Sequence, residues 1–202
     1  MIAIVDYGAG NLRSVTKAVA SLGYKAKVTQ NPAEVLAADA VILPGVGAAG
    51  DAMARLKEAG LVETLTEVVR QGRPFLGVCL GLQLLFTDTE EGGKYPCLDI
   101  LSGRVKRFPP GLKIPHMGWN QVQQRFSSPL FEGIPQGAYF YFVHSYYAEP
   151  EESWIVAAET DYGITFSSMV IRGSLVATQF HPEKSGALGL RFYDNFLRLA
   201  GA

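Results

Sequence analysis

The residues best suited to covalent chemistry are two cysteines and three histidines, and their surroundings separate them. Cys79 sits in Gly77-Val78-Cys79-Leu80-Gly81, where an apolar strand pattern turns abruptly into a helical one. That arrangement is a nucleophile elbow with cysteine in the serine slot. A sharp, strained turn presents the side chain, and glycines two places on either side let neighbouring backbone approach. A cysteine opening a helix also feels the positive end of the dipole, which favours the attacking thiolate. Taken alone, the motif is equally compatible with a buried cysteine in an apolar strand. Cys97, beside Lys94-Tyr95-Pro96, has no partner at CxxC spacing, so neither a disulfide framework nor a zinc site is indicated, and it is given no catalytic part.

A cysteine nucleophile needs a base, and the choice lies among His116, His144 and His181. His181 follows an apolar strand, Val176 to Phe180, and Pro182 keeps the residue before it extended, so His181 and Glu183 can project to one side. A carboxylate there fixes the tautomer and stabilises the imidazolium. An isolated His-Pro-Glu is more often a surface histidine beside a helix-starting acid; the elbow upstream is what turns it into a candidate Cys-His-Glu site. Pro44-Gly45-Val46-Gly47 forms a glycine-rich bend after the strand Ala40 to Leu43. With the Leu80 amide it can supply oxyanion donors from Val46 or Gly47, or it is simply a turn. Gly45 and Gly47 flank Val46, so the peptide units there should rotate at little steric cost. Gln83 lies one helical turn past Cys79 and leans back toward it, a polar residue among leucines that needs a partner.

These residues require elements to hold them. Ile2 to Val5 is a strand, and Leu12, Val15, Val19 and Leu22 fall at helical spacing, with Asn11 suited to the N-cap and Gly23 to the stop. A strand at Ala26 to Thr29, a helix opened by Asn31-Pro32 and a strand at Ala40 to Leu43 continue the alternation. Helical patterns at Gly50 to Ala59 and Leu61 to Gln71 precede the strand Pro74 to Val78 and a helix from Leu80. Strands alternating with helices predict a parallel sheet covered on both faces, with ligands at the carboxyl ends of the strands. From Leu101 the pattern becomes short strands with dense turns: Gly103 to Phe108, Asn120 to Gln124, Tyr139 to His144, Trp154 to Glu159, Thr165 to Ile171 and Leu175 to Phe180. These read as antiparallel, with hairpin turns at Asp161-Tyr162-Gly163 and Arg172-Gly173-Ser174 and a closing helix from Leu188 to Leu199. The chain of 202 residues reads as one α/β domain, residues 1–202, with a mixed sheet.

Composition excludes several classes. With 18 Lys and Arg against 19 Asp and Glu, and no basic run, nucleic acid is not expected as a partner. The apolar run at the N-terminus stops at Asp6, too short for a signal peptide, and Pro74 to Phe86 falls short of the roughly 20 residues a membrane span needs. A cytoplasmic protein is the expectation. Gly8-Ala9-Gly10 lacks the third glycine of a dinucleotide loop, Arg13 standing in its place, and the histidines have no ligand spacing, so neither a cofactor nor a metal is expected.

The sequence resembles the class I glutamine amidotransferases. Gly77 to Gln83 (GVCLGLQ) and His181 to Ser185 (HPEKS) carry the general likeness. DYGAGNLRSV at 6–15, PGVG at 44–47, HMGWN at 116–120 and the FVHSYY run ending at Tyr147 resemble the glutaminase subunits of imidazole glycerol phosphate synthase. The resemblance implies a flavodoxin-like fold, a mostly parallel central sheet with helices on both faces plus an antiparallel extension. It implies Cys79 as nucleophile, His181 as acid and base and Glu183 as its orienting partner, with Val46, Gly47 and Leu80 at the oxyanion. It places Gln83, Gly47, Ser145 and Tyr146 on substrate glutamine, and Trp119, Lys184 and Asn11 toward the partner. That partner would be a (β/α)8 cyclase subunit in a heterodimer, receiving ammonia for histidine biosynthesis. The glutaminase elements occupy the chain, so the ammonia-using reaction is expected on that second subunit. Other readings are a glutaminase serving anthranilate, pyridoxal phosphate or GMP synthesis, a cysteine peptidase or thioesterase, and a catalytically dead binding module.

Overall fold

The computed structural model describes residues 1–201. The first half alternates strand and helix: β1 (Ile2–Val5), α1 (Leu12–Ser21), β2 (Ala26–Thr29), α2 (Pro32–Ala37), β3 (Ala40–Gly45), α3 (Ala49–Glu58), α4 (Leu61–Arg70), β4 (Phe75–Cys79) and the short α5 (Leu80–Gln83). The second half is mostly strand: β5 (Phe86–Thr89), β6 (Tyr95–Pro96), β7 (Leu101–Arg107), β8 (His116–Gln124), β9 (Ala138–His144), β10 (Tyr146–Pro150), β11 (Val156–Asp161), β12 (Thr165–Arg172) and β13 (Leu175–Thr178), closed by α6 (Gly186–Leu199).

The described strands join in the order β2-β1-β3-β4-β13-β12-β10-β7-β5-β6, with β11 linking β12 to β8, and β8 pairing with β9. From β2 to β13 every pairing is parallel. Alternation within β1 splits the core between two faces. Ile2 and Ile4 pack with Val15 and Val19 of α1 and Phe192, Phe196 and Leu197 of α6. Ala3 and Val5 pack with Val35 of α2, Leu56 of α3, and Leu61, Leu65 and Val68 of α4. Helices therefore cover both faces of the parallel half, as the wholly buried β1, β3, β4 and β13 require, while the edge strand β2 is largely exposed.

Several expectations need correction. The second-half strands are not all antiparallel: β13 runs parallel to β4, and β7 parallel to β5. Strand direction follows from the route of the connection, which local alternation does not encode. β5, β6 and β10 were not anticipated. Trp154 lies in a 3₁₀ turn, Ser153–Ile155, and the strand begins only at Val156. Asn11 occupies the N-cap position of α1, but its backbone is not extended and its side chain caps nothing; its carbonyl accepts the first helical N–H bonds instead. Asn31 does cap α2, accepting the Ala33 N–H at 2.9 Å. The bend after β3 starts later than expected, because Pro44 and Gly45 still pair with Val78 and Cys79.

Candidate active site

Parallel register builds the site. Gly45 of β3 lies beside Cys79 of β4, and Thr178 of β13 beside Val78, so the chain segments leaving β3 and β13 emerge on either side of the cysteine. One segment is the Val46-Gly47 bend and the other carries Gln179, Phe180 and His181. Cys79 itself has φ of 55°, one of two non-glycine residues with positive φ among those described. A residue so strained turns the chain from strand to helix in a single step. Helix α5 is four residues long, so its dipole gives Cys79 only a short helix's worth of help.

The elbow glycines serve close approach. A Cβ on Gly77 would sit 2.8 Å from the Gly81 carbonyl oxygen, and one on Gly81 would overlap the Leu43 carbonyl oxygen. Backbone on both sides leaves little room for relaxation. Gly81→Ala is expected to destabilise the fold by about 3 kcal/mol, read as a lower urea midpoint with unchanged m-value. An unfolding curve superimposable on the parent's would contradict this packing. Gly45 is confined too, since a Cβ there would meet Leu80 Cβ at 2.7 Å and the Tyr7 hydroxyl at 2.8 Å. Freedom in the bend therefore resides at Val46 and Gly47 (φ 94°), and not equally on both sides of Val46 as the glycine pattern suggested.

His181 is buried, and its Nδ1 lies 2.7 Å from Glu183 Oε1, with both side chains about 1% exposed. The Nδ1–H donates to the carboxylate, which leaves Nε2 as the nitrogen able to take a proton. That Nε2 is buried without a hydrogen-bond partner among the described residues, and the ring feels the charge of Cys79. Burial lowers the imidazole's pKa, but a charged Cys79 and the Glu183 carboxylate outweigh it, so that once the thiol proton has moved to Nε2 the imidazolium's pKa is pushed up to about 10. Ser185 fixes the backbone here: its hydroxyl donates to the His181 carbonyl at 2.6 Å and accepts the Tyr141 N–H at 3.0 Å. The His181 N–H in turn donates to the Tyr141 carbonyl at 2.9 Å.

The other histidines are committed elsewhere. His144 Nδ1 lies 2.8 Å from the Tyr146 carbonyl, which can only accept, so that nitrogen carries the proton. His144 Nε2 then accepts from His116 Nδ1 at 2.9 Å, and His116 Nε2 accepts from Asn120 Nδ2 at 3.2 Å. Burial lowers both rings' pKa values, His116 to about 4 and His144 to about 3, with neighbouring histidines depressing His144 further. Both are neutral at pH 7, and neither is free to serve Cys79.

A cleft of about 380 Å³ opens over the cysteine, lined by Val46, Gly47, Cys79, Leu80, Gln83, Ser145, Tyr146, His181 and Lys184, and also by Glu91, Pro115, Val143 and His144. Its size suits a small polar molecule. The Val46 and Gly47 amides make no hydrogen bond to another described residue, leaving two donors at the cleft wall. Gln83 is already engaged, its Nε2 donating to the Tyr146 carbonyl at 2.9 Å and to Gln179 Oε1 at 3.0 Å. Glu183 stands behind His181 rather than in the cleft, and Tyr193 of α6 packs a wholly buried hydroxyl near it. Gln179 and Tyr193 went unnoticed in the sequence, and Ser185 entered only as the end of the HPEKS motif, with no role given. Trp119 and Asn11 do not line the cleft. Trp119 is exposed on β8 and packs edge-on to Tyr141, over whose ring the Lys184 ammonium sits at 5.7 Å. Asn11 begins α1, which packs against the Pro182–Lys184 turn. Cys97 lies apart, after β6, where burial and the charges of Asp88 and Glu91 raise its thiol to about 12. Among the described residues no cluster of His, Cys, Asp and Glu is placed to hold a metal ion, and no helix is long and apolar enough to cross a membrane.

Comparison with known proteins gives a consistent setting for this geometry. The family model for glutamine amidotransferase class-I matches residues 3–199. The chain is 58% identical over 200 residues to imidazole glycerol phosphate synthase subunit HisH of Dehalococcoides mccartyi (strain CBDB1), covering 99% of this chain and 98% of that one. It is 56% identical over 195 residues to the subunit of the same name from Moorella thermoacetica, covering 96% and 93%. Among solved structures, a glutamine amidotransferase matches all of both chains with a TM-score of 0.79 at 22% identity. A glutamine amidotransferase from Thermotoga maritima matches with a TM-score of 0.64 at 17% identity, covering 98% of this chain and 82% of that one. At those identities the structures speak for the fold.

Proposed function

The chain belongs to the class-I glutamine amidotransferase family, and from that premise we propose that it is the glutaminase subunit of an imidazole glycerol phosphate synthase. It hydrolyses glutamine to glutamate and ammonia for use by a cyclase subunit in histidine biosynthesis. The observation that carries the reading is the juxtaposition in one cleft of Cys79 on a strained elbow and a buried His181 whose Nδ1 is tied to Glu183 at 2.7 Å. Near-full-length identity to subunits of imidazole glycerol phosphate synthase favours this assignment over glutaminases serving anthranilate, pyridoxal phosphate or GMP synthesis.

Each step has a group to perform it. His181 Nε2 takes the thiol proton, and the Cys79 thiolate attacks the carboxamide carbon of glutamine. The oxyanion that forms is received by the Leu80 N–H together with Val46 or Gly47 N–H. His181, an imidazolium stabilised by Glu183, protonates the departing ammonia, then deprotonates a water that hydrolyses the thioester to glutamate. Gln83, Ser145 and Tyr146 line the cleft where the polar ends of glutamine would bind. Ammonia production by the chain alone and with its cyclase, measured with glutamine as sole nitrogen source, tests the assignment. Absence of glutamine hydrolysis in both would refute it.

The partner's docking face is proposed on the β8–β9 ribbon. Met117, Trp119 and Tyr139 are exposed there, and Met117 pairs with Val143, which lines the cleft, with Trp119–Tyr141 two residues along the same ribbon. A (β/α)8 cyclase seated over this face, Lys184 and the start of α1 would receive ammonia from the cleft mouth. The Val46-Gly47 bend adds a means of control, because its peptide can turn with little strain while Gly45 stays locked in β3. Without the partner, one oxyanion donor is expected to point away for most of the time. Loss of one donor costs roughly 3 to 4 kcal/mol, so glutamine hydrolysis should rise about 10²- to 10³-fold on forming the complex with a cyclase ligand bound. An isolated chain already as fast as the liganded complex would dismiss this control and leave the glutaminase assignment standing.

A further inference from the structure

Gln179 is wholly buried in the segment between β13 and His181, and its backbone N–H is fixed to the Ser168 carbonyl at 2.9 Å. Its side chain touches both Gln83 and the reacting sulfur. The amide orientations follow from chemistry. The Tyr146 carbonyl only accepts, so the Gln83 atom facing it at 2.9 Å is the NH₂ nitrogen. The same nitrogen faces Gln179 at 3.0 Å, so Gln179 presents its oxygen there. The remaining Gln179 atom, Nε2, is therefore the donor 3.7 Å from Cys79 Sγ. Gln83 keeps its own oxygen uncommitted at the cleft it lines.

We infer that Gln179 is a further catalytic residue of this site, donating its amide N–H to the Cys79 sulfur while holding the substrate-facing amide of Gln83. The inference rests on the glutaminase reading, in which Cys79 is the nucleophile. The thiol makes two contacts of opposite sense: its S–H donates to the Val143 carbonyl at 3.8 Å, and its sulfur accepts from Gln179. Deprotonation abolishes the first and strengthens the second, since a hydrogen bond to the charged form favours that form. Gln179 thus supplies a fixed donor to the thiolate that the short helix α5 supports only weakly. Because one side chain spans both contacts, the sulfur and the Gln83 amide are held in one register, set by β13.

The test uses the complex with the cyclase and the variant Gln179→Met, which fills similar space without donor or acceptor. Glutamine hydrolysis, the pH profile of Cys79 alkylation by iodoacetamide mapped to the peptide, and ammonia-dependent synthesis are measured together, with Cys79→Ala in parallel. Loss of a hydrogen bond to a charged group corresponds to about a 10- to 100-fold fall in kcat. KM should rise less than about fivefold, because Gln83 retains its Tyr146 bond, and ammonia-dependent synthesis should be unchanged. The alkylation profile should move to higher pH, which a merely structural role for Gln179 would not produce. If Gln179→Met does not fold, Gln179→Glu reads the same quantities; it keeps the acceptor for Gln83, sets an oxygen against the sulfur, and should move the profile further in the same direction. Hydrolysis within twofold of the parent with an unmoved alkylation profile, in whichever variant folds, overturns the inference. Persistence of hydrolysis in Cys79→Ala would instead sink the glutaminase reading beneath it.

Discussion

Replacing Cys79 with alanine is expected to eliminate glutamine-dependent synthesis by the complex while ammonia-dependent synthesis stays within about twofold of the parent. The substitution deletes a single buried sulfur and leaves the elbow backbone in place, so the surrounding fold should persist. What it removes is the bond-forming atom. Loss of the nucleophile from a hydrolytic triad costs on the order of 10⁴ to 10⁶ in kcat, the residue of activity coming from oxyanion donors and binding. The cyclase reaction has no need of Cys79 when ammonium is supplied in excess, and this separates chemistry from assembly. Assays run in parallel with glutamine and with ammonium salts give the answer. Equal loss with both nitrogen sources would contradict the division of labour between the two subunits.

The second large effect is expected at the acid–base pair, and the order within it matters. His181→Ala removes the only histidine in the chain whose ring nitrogen is free to face Cys79, since His116 and His144 are tied to each other and to Tyr146. A fall of about 10⁴-fold or more in glutamine hydrolysis follows from losing both thiol activation and protonation of ammonia. Glu183→Gln should cost less, about 10²-fold, because the amide oxygen can still accept from Nδ1–H and keep the tautomer, while the charge that stabilises the imidazolium is gone. With that charge removed, the His181 pKa moves down from its raised value near 10, so the acid needed for ammonia departure is lost at lower pH. Steady-state hydrolysis across a pH series distinguishes the two. His181→Asn serves as a control, because alanine leaves Glu183 buried and unpaired, which can destabilise the fold on its own. Near-normal turnover in His181→Ala would remove His181 from the site.

Much of this site is legible in the sequence because its parts are local. Gly77 to Gly81 specifies the elbow through spacing alone, and Pro182 keeps His181 extended, although Glu183 reaches its 2.7 Å contact through a 3₁₀ turn, Pro182–Lys184, and not through strand alternation. The strand–helix alternation of the first half is equally local, and its boundaries fall within a residue or two, the widest gap being at β3, where Pro44 and Gly45 prolong the strand by pairing with β4. What the sequence does not carry is strand order. Nothing in Leu175–Thr178 says that it runs parallel to β4, yet that placement brings His181 to Cys79. β10 is hidden because Ser145 breaks the run shared with β9, and β6 is two residues long. Gln179 did leave a signal: a polar amide between Ala177 and Phe180 whose period-two neighbour is His181, so both face one side of an extended chain. Tyr193 left none, since on α6 it reads as one more core aromatic beside Phe192.

The most direct test of the mechanism treats the complex with a diazoketone analogue of L-glutamine and maps the adduct by peptide mass spectrometry. The analogue must be recognised as glutamine and attacked by the nucleophile before it can label. The expected result is modification of the peptide bearing Cys79 in proportion to lost glutaminase activity, with Cys97, its thiol raised to about 12, left untouched. Inactivation with Cys79 unlabelled, or full hydrolysis with Cys79 blocked, would contradict a thioester formed at Cys79.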